Sequence, residues 1–131
     1  FFKKIYLPFL LSIFAGCSLL FFLSPQILHV FLTDTPALPV LLLRMLSFVP
    51  VIVCLNMPAY QLLLAFDRKK SYLLILGLAT VINIAANVLL VTSLGATGTV
   101  LSIIITELFI TGGLNQQLYK NNLAGYLTRG K

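Results

Sequence analysis

The feature that most constrains this chain is its succession of long apolar runs, each about as long as a membrane's hydrocarbon core is thick. An α-helix rises ~1.5 Å per residue, so ~20 apolar residues cross a core of ~30 Å. The runs therefore predict an all-α integral membrane protein with four transmembrane helices. We place these helices at about residues 5–23, 40–66, 71–91 and 98–118.

Composition supports a membrane protein over a soluble one. Only 9% of the 131 residues are charged and 60% are hydrophobic, whereas soluble domains carry roughly 25% charged residues. The net charge of +6 reflects nine Lys and Arg residues against three acidic residues, and all the basic residues except Arg44 lie in small groups outside the apolar runs. This scatter is typical of topology signals, so we expect the lipid bilayer, and no nucleic acid, as a partner.

The basic residues outside the apolar runs alternate between the predicted loops. Two lysines precede the first run, three basic residues lie in 67–70 and three more follow Tyr119, whereas 24–39 and 92–97 contain none. The positive-inside rule therefore predicts that both ends of the chain are cytoplasmic. A signal peptide is the alternative interpretation of the first run, but no A-x-A-like cleavage site follows it.

Residues 24–39 are predicted to form an external loop, because prolines break helices and no basic residue occurs there. The apolar stretch 27–32 is too short to span, so we expect it in the interface or as a short packed helix. His29 has no other ligand type at metal-binding spacing, which favours a solvated loop residue. Cys17 and Cys54 lie in apolar runs, and we expect neither a disulfide nor a metal site nor a cofactor.

The second predicted span contains two prolines, Pro50 and Pro58, which predict a kinked or interrupted helix. Each proline frees the carbonyl four residues earlier, near Leu46 and Cys54, and neighbouring helices or water must satisfy that carbonyl. Polar side chains beside such a break often line a cavity. Asn56 and Gln61 are therefore candidates for a substrate or ion pathway.

Glu107 and Arg44 are ionisable residues inside predicted spans. Glu107 lies near the middle of the fourth span, where it is either a proton or cation site or a structural acid that bonds a neighbouring helix. Arg44 lies about four residues inside the second span. Its side chain either extends to the external headgroups or lines a cavity, where a guanidinium can bind phosphate oxygens in bidentate fashion. The two residues could pair in principle, but their expected depths differ.

Polar residues recur at helical spacing on the third and fourth spans. Asn83 and Asn87 are four residues apart and share a face with Thr80. We favour helix packing over substrate contact for this stripe. The fourth span repeats the spacing, so the two spans are expected to pack closely across a short turn; its polar positions are Thr99, Ser102 and Thr106.

Known catalytic patterns are absent from the sequence. It contains no P-loop, no H-E-x-x-H motif and no G-x-S-x-G motif. Its three acidic residues, Asp34, Asp67 and Glu107, lie in different loops and spans, which leaves little for general acid–base catalysis. We therefore do not expect an enzyme.

Several segments carry a resemblance to a known family. These are LRMLSFVP (43–50), LAFDRKK (64–70), NIAAN (83–87) and LGATG (94–98), followed by Ser102 and Thr106-Glu107. Together they resemble the C-terminal part of the polysaccharide-biosynthesis flippases, which belong to the multidrug/oligosaccharidyl-lipid/polysaccharide exporter superfamily. The likeness extends from about residue 41 to 118. Thr92 and Ser93 depart from it, since relatives often carry a proline there.

The resemblance implies a parent transporter of about twelve to fourteen helices in two lobes, of which this chain supplies four in the C-terminal lobe. Such proteins flip undecaprenyl-diphosphate-linked oligosaccharides, such as O-antigen units, across the bacterial inner membrane by alternating access. Arg44 would then face the diphosphate.

Two alternative functions remain open. One is a multidrug and toxic-compound extrusion antiporter, which Glu107 would suit, and the other is a structural membrane subunit without a transport path.

Overall fold

The structure is a computed structural model that describes residues 5–32 and 37–125. Within these ranges the regular secondary structure is helical, and four stretches are long and apolar enough to cross a membrane. This confirms the predicted all-helical class and the number of membrane-length spans. The helices are α1 (Leu7–Phe31), α2 (Ala37–Leu46), α3 (Val49–Ala65), α4 (Lys69–Leu94) and α5 (Ala96–Lys120).

Helix α1 continues well past residue 23, where the first span was predicted to end. The prediction that a loop begins at residue 24 is wrong, because Pro25 does not break the helix. Proline removes the N–H that would bond the carbonyl of Phe21, and the Ser24 hydroxyl donates to that carbonyl instead, at 2.9 Å. The stretch 27–32 is thus mainly the end of α1, and His29 lies exposed in its last turn. Asp34 and Pro36 lie outside the described residues.

The second span is interrupted, as its prolines predict. Helices α2 and α3 are separated by a turn at Ser47 and Phe48, and Pro50 falls in the first turn of α3, where proline is tolerated. The hydroxyl of Ser47 donates to the Arg44 carbonyl at 2.6 Å. Together the two helices form one 29-residue stretch.

Pro58 lies inside α3 without ending it. The carbonyl of Cys54, four residues earlier, accepts a hydrogen bond from the hydroxyl of Tyr6, with 2.8 Å between the oxygens. A residue at the start of α1 therefore replaces the backbone donor that proline removes. This contact also attaches the beginning of α1 to the middle of α3.

Helices α3 and α5 end in the same way. Asp67 and Asn122 each adopt a left-handed backbone conformation, with φ of 55°, which Asp and Asn tolerate better than most residues. After α5, Leu123 N–H donates to the Leu118 carbonyl at 2.9 Å and Asn122 N–H to the Tyr119 carbonyl at 3.1 Å. These bonds form a Schellman motif, whose accompanying apolar contact here is Leu118 against Leu123.

The main buried cluster lies at this same end, between α3, α4 and α5. It consists of Ala59, Leu63, Ile75, Leu114, Leu118 and Leu123. Elsewhere, large apolar side chains face outwards: Phe22 is 72% exposed and Val30 80%. An apolar exterior around a small buried core is the pattern expected of helices that face lipid.

Helices α4 and α5 form a tight hairpin through Gly95, whose φ of 58° suits glycine. At Gly98, in the first turn of α5, a Cβ atom would collide with the backbone carbonyl of Leu90. The missing side chain therefore allows the two backbones to approach closely, as small residues commonly do in membrane helix packing.

Candidate functional site

Glu107 and Asn56 meet in the interior of the bundle. Glu107 lies near the middle of α5, and its carboxylate Oε2 accepts a hydrogen bond from Nδ2 of Asn56 on α3, at 3.3 Å. Asn56 is 7% exposed. Its Oδ1 is buried and has no hydrogen-bond partner within the described part of the chain. The pair thus carries a carboxylate and a vacant amide acceptor on neighbouring helices.

A groove of about 250 Å³ opens beside this pair, between α3, α4 and α5. Helical spacing of three to four residues brings its lining together from each helix. The rings of Tyr60 and Tyr72 lie 4.7 Å apart between centroids at one side of the groove. Glu107 supplies the only charge among the lining residues, which are Val53, Asn56, Met57, Tyr60, Tyr72, Leu76, Glu107, Ile110 and Leu114.

Gln61 does not join the groove. It was predicted beside Asn56 because both lie near Pro58, but it is exposed and absent from the lining. At 3.6 residues per turn, five residues turn the helix by about 500°, so the two side chains leave α3 about 140° apart. The structure thus places Asn56, but not Gln61, in the lining of this groove.

The side chain of Arg44 contacts α1. Its Nε donates to the hydroxyl of Ser24 at 3.1 Å, and its guanidinium carbon lies 5.3 Å from the ring centroid of Phe21. Ser24 is fully buried. Because α1 continues to Phe31, this contact lies about 10 Å from the end of that helix at ~1.5 Å per residue.

Ser24 and Phe21 were not predicted as site residues. The signal that identifies Ser24 is its place directly before Pro25, where a hydroxyl can satisfy the carbonyl that proline frees. Arg44 and Glu107 do not pair in the described residues, where the recorded salt bridge joins Lys69 to Asp67 at 3.6 Å. Arg44 and Glu107 therefore occupy separate places in the bundle.

The polar stripes of α4 and α5 meet at one point. Nδ2 of Asn83 donates to the hydroxyl of Thr106 at 3.0 Å, and that hydroxyl donates to the Ser102 carbonyl at 2.7 Å. Thr80 bonds only within its own helix, to the Leu76 carbonyl, and is exposed.

The second asparagine of the stripe, Asn87, has a buried Oδ1 that lacks a hydrogen-bond partner among the described residues. Asn83 thus links the two helices, while the side-chain oxygen of Asn87 accepts no hydrogen bond among the described residues.

Cys17 and Cys54 are free thiols. No group of three or more potential metal ligands occurs in the described ranges.

Comparison of the chain with protein-family models, with curated proteins and with solved structures finds no match.

Proposed function

We propose that this chain is part of a membrane transporter, and not of an enzyme, that flips undecaprenyl-diphosphate-linked oligosaccharide across the bacterial inner membrane. The observation that carries the proposal is the position of Arg44 inside a span, three residues before the interruption between α2 and α3. A basic residue inside a span is expensive and is commonly functional. Such a basic residue can bind the negatively charged oxygens of a diphosphate.

The geometry around Arg44 supports a role in binding phosphate. Only Nε of its guanidinium donates a hydrogen bond among the described residues, so the two terminal nitrogens are available. Guanidinium groups bind phosphate oxygens in bidentate fashion through such nitrogens. The hydrogen bond to Ser24 and the contact with Phe21 hold the side chain within the bundle.

The break between α2 and α3 supports alternating access. Discontinuous helices are tolerated in membranes where they line a cavity, and they are common at the substrate sites of transporters. Here the break follows Arg44 by three residues. In the proposal, both ends of the chain face the cytoplasm, and α2 changes its angle to α3 while Arg44 contacts the substrate.

A cation antiporter is the second candidate, and the groove at Glu107 favours it. A carboxylate and two tyrosine rings suit a positively charged ligand, because rings and carboxylate oxygens both attract cations. No basic residue lines this groove. In the flippase proposal the same carboxylate would instead bind a proton or coupling cation.

Complementation tests the proposal. The complete protein is expressed in a bacterial strain that lacks its polysaccharide flippase and carries the matching glycan genes, and surface polysaccharide is measured. We expect restoration, and its loss in Arg44→Ala with partial activity in Arg44→Lys, at equal protein levels. Gln116→Ala, an exposed polar change on α5, is the control and should remain active.

Two outcomes would contradict the flippase proposal. One is no surface polysaccharide despite normal membrane expression. The other is full activity of Arg44→Ala, which would remove the residue that carries the argument. Export of organic cations that Glu107→Gln abolishes and Arg44→Ala leaves intact would support the antiporter instead.

A further inference from the structure

Four basic side chains lie together at one end of the bundle. Arg68, Lys69 and Lys70 are at the start of α4, and Lys120 is the last residue of α5. Because α4 and α5 form an antiparallel hairpin through Gly95, the start of one lies beside the end of the other. All four side chains are exposed. We call this set the basic end.

The basic end has little internal compensation. Its acidic neighbour is Asp67, whose carboxylate lies 3.6 Å from Nζ of Lys69. Both side chains are largely exposed, at 89% and 67%, and such surface pairs contribute little. The other three basic residues make no ion pair within the described part of the chain. Residues 92–97, at the opposite end of the hairpin, contain no charged side chain.

An exposed apolar surface begins directly beside the basic end. Exposed apolar side chains follow it within about one helical turn: Leu73 and Leu74 are each 63% exposed. Tyr119, next to Lys120, is 73% exposed, and tyrosine is enriched at membrane interfaces. Acyl chains would therefore contact these side chains while the phosphates of the same lipids reach the basic residues.

We propose that the basic end binds the headgroups of anionic phospholipids. Lys and Arg near a membrane surface attract anionic lipids, and Arg adds bidentate contacts to phosphate oxygens. A zwitterionic headgroup offers the same phosphate but adds its own ammonium group, which the basic residues repel. The inference depends on charge and membrane level alone, so it holds whichever transport function is correct.

Native mass spectrometry of the purified full chain tests this proposal. The probe is an equimolar mixture of phosphatidylglycerol and phosphatidylcholine with identical acyl chains. We expect phosphatidylglycerol to be retained in several-fold excess. The variant Arg68→Gln/Lys69→Gln/Lys70→Gln should lose that preference, since each surface charge changes anionic-lipid binding by about fivefold. Asp67→Asn should increase it.

The control is Gln116→Ala, a neutral change at an exposed position of α5, which should leave the preference unchanged. Circular dichroism in phosphatidylcholine micelles checks that each variant folds. If the triple variant does not fold, Lys120→Gln and Asp67→Asn still test the proposal, because they must shift the preference in opposite directions. Equal retention of both lipids by the unmodified chain would overturn it, as would an unchanged preference in the charge variants.

Discussion

Nδ2 of Asn56 on α3 lies 3.3 Å from Oε2 of Glu107 on α5, and this hydrogen bond joins two residues that are 51 positions apart. An ionisable side chain within a membrane span is costly unless protein groups contact it. Asn56 is therefore both the recorded partner of Glu107 and a link between two helices.

Replacing Asn56 with alanine should lower the free energy of unfolding by about 1 kcal/mol, the usual scale of a hydrogen bond between membrane helices. The substitution removes the amide donor and leaves the Glu107 carboxylate without it. Thermal unfolding in detergent micelles measures the effect. Gln61→Ala on the same helix is the control, because Gln61 is exposed and should change little. Equal losses in the two variants would show that the hydrogen bond does not contribute.

Asn83 and Thr106 should show energetic coupling across the α4–α5 hairpin. In a double-mutant cycle with Asn83→Ala and Thr106→Val, we expect a coupling free energy of about 0.6 kcal/mol, the average for such bonds in membranes. Thr80→Val is the control, since the Thr80 hydroxyl bonds only within α4. Strictly additive single effects would argue against the interhelical hydrogen bond.

The spans and the interruption at α2–α3 could be predicted from sequence because hydropathy and proline act locally. The end of α1 could not be predicted in this way. Whether the helix continues past Pro25 depends on whether a side chain donates a hydrogen bond to the carbonyl that Pro25 leaves free. Ser24 does so, and the prediction ended the helix too early. The predicted end of α1 at residue 23 also left Ser24 outside the span, so its hydrogen bond to Arg44 was not predicted.

Asn56 and Glu107 were predicted individually, but their grouping in the groove was not, and the groove residues Tyr60 and Tyr72 were not predicted. Asn56 and Glu107 were both pathway candidates, yet their contact depends on how α3 and α5 are rotated about their axes. Hydropathy does not determine this rotation, since polar residues occur on more than one face of α3. Gln61 illustrates the limit, because it shares the neighbourhood of Pro58 and still points elsewhere.

Tyr6→Phe should destabilise the protein by about 1 kcal/mol, because it leaves the buried Cys54 carbonyl without its donor. Pro58→Ala restores a backbone N–H that can reach the same carbonyl. In the Pro58→Ala background, Tyr6→Phe should therefore cost clearly less. Chemical unfolding of the four proteins in micelles measures this difference. The same cost in both backgrounds would mean that the hydroxyl does not replace the backbone donor.

Gly98→Ala should destabilise the α4–α5 hairpin by roughly 1–3 kcal/mol, the range typical of overpacking. The new methyl group would meet the Leu90 carbonyl, a backbone atom that moves only if the helices separate. Gly112→Ala on the same helix is the matched control. No atom lies within 4 Å of a Cβ built there, so alanine should be neutral or stabilising through its helix propensity.

Thermal unfolding of both glycine variants in micelles gives the comparison. A shared drop in stability would indicate that added volume on α5 is harmful wherever it is placed. A drop confined to Gly98→Ala would instead show that one close backbone approach holds the hairpin together. Because that approach also positions Thr106 against Asn83, the Asn83–Thr106 coupling should weaken in the Gly98→Ala background.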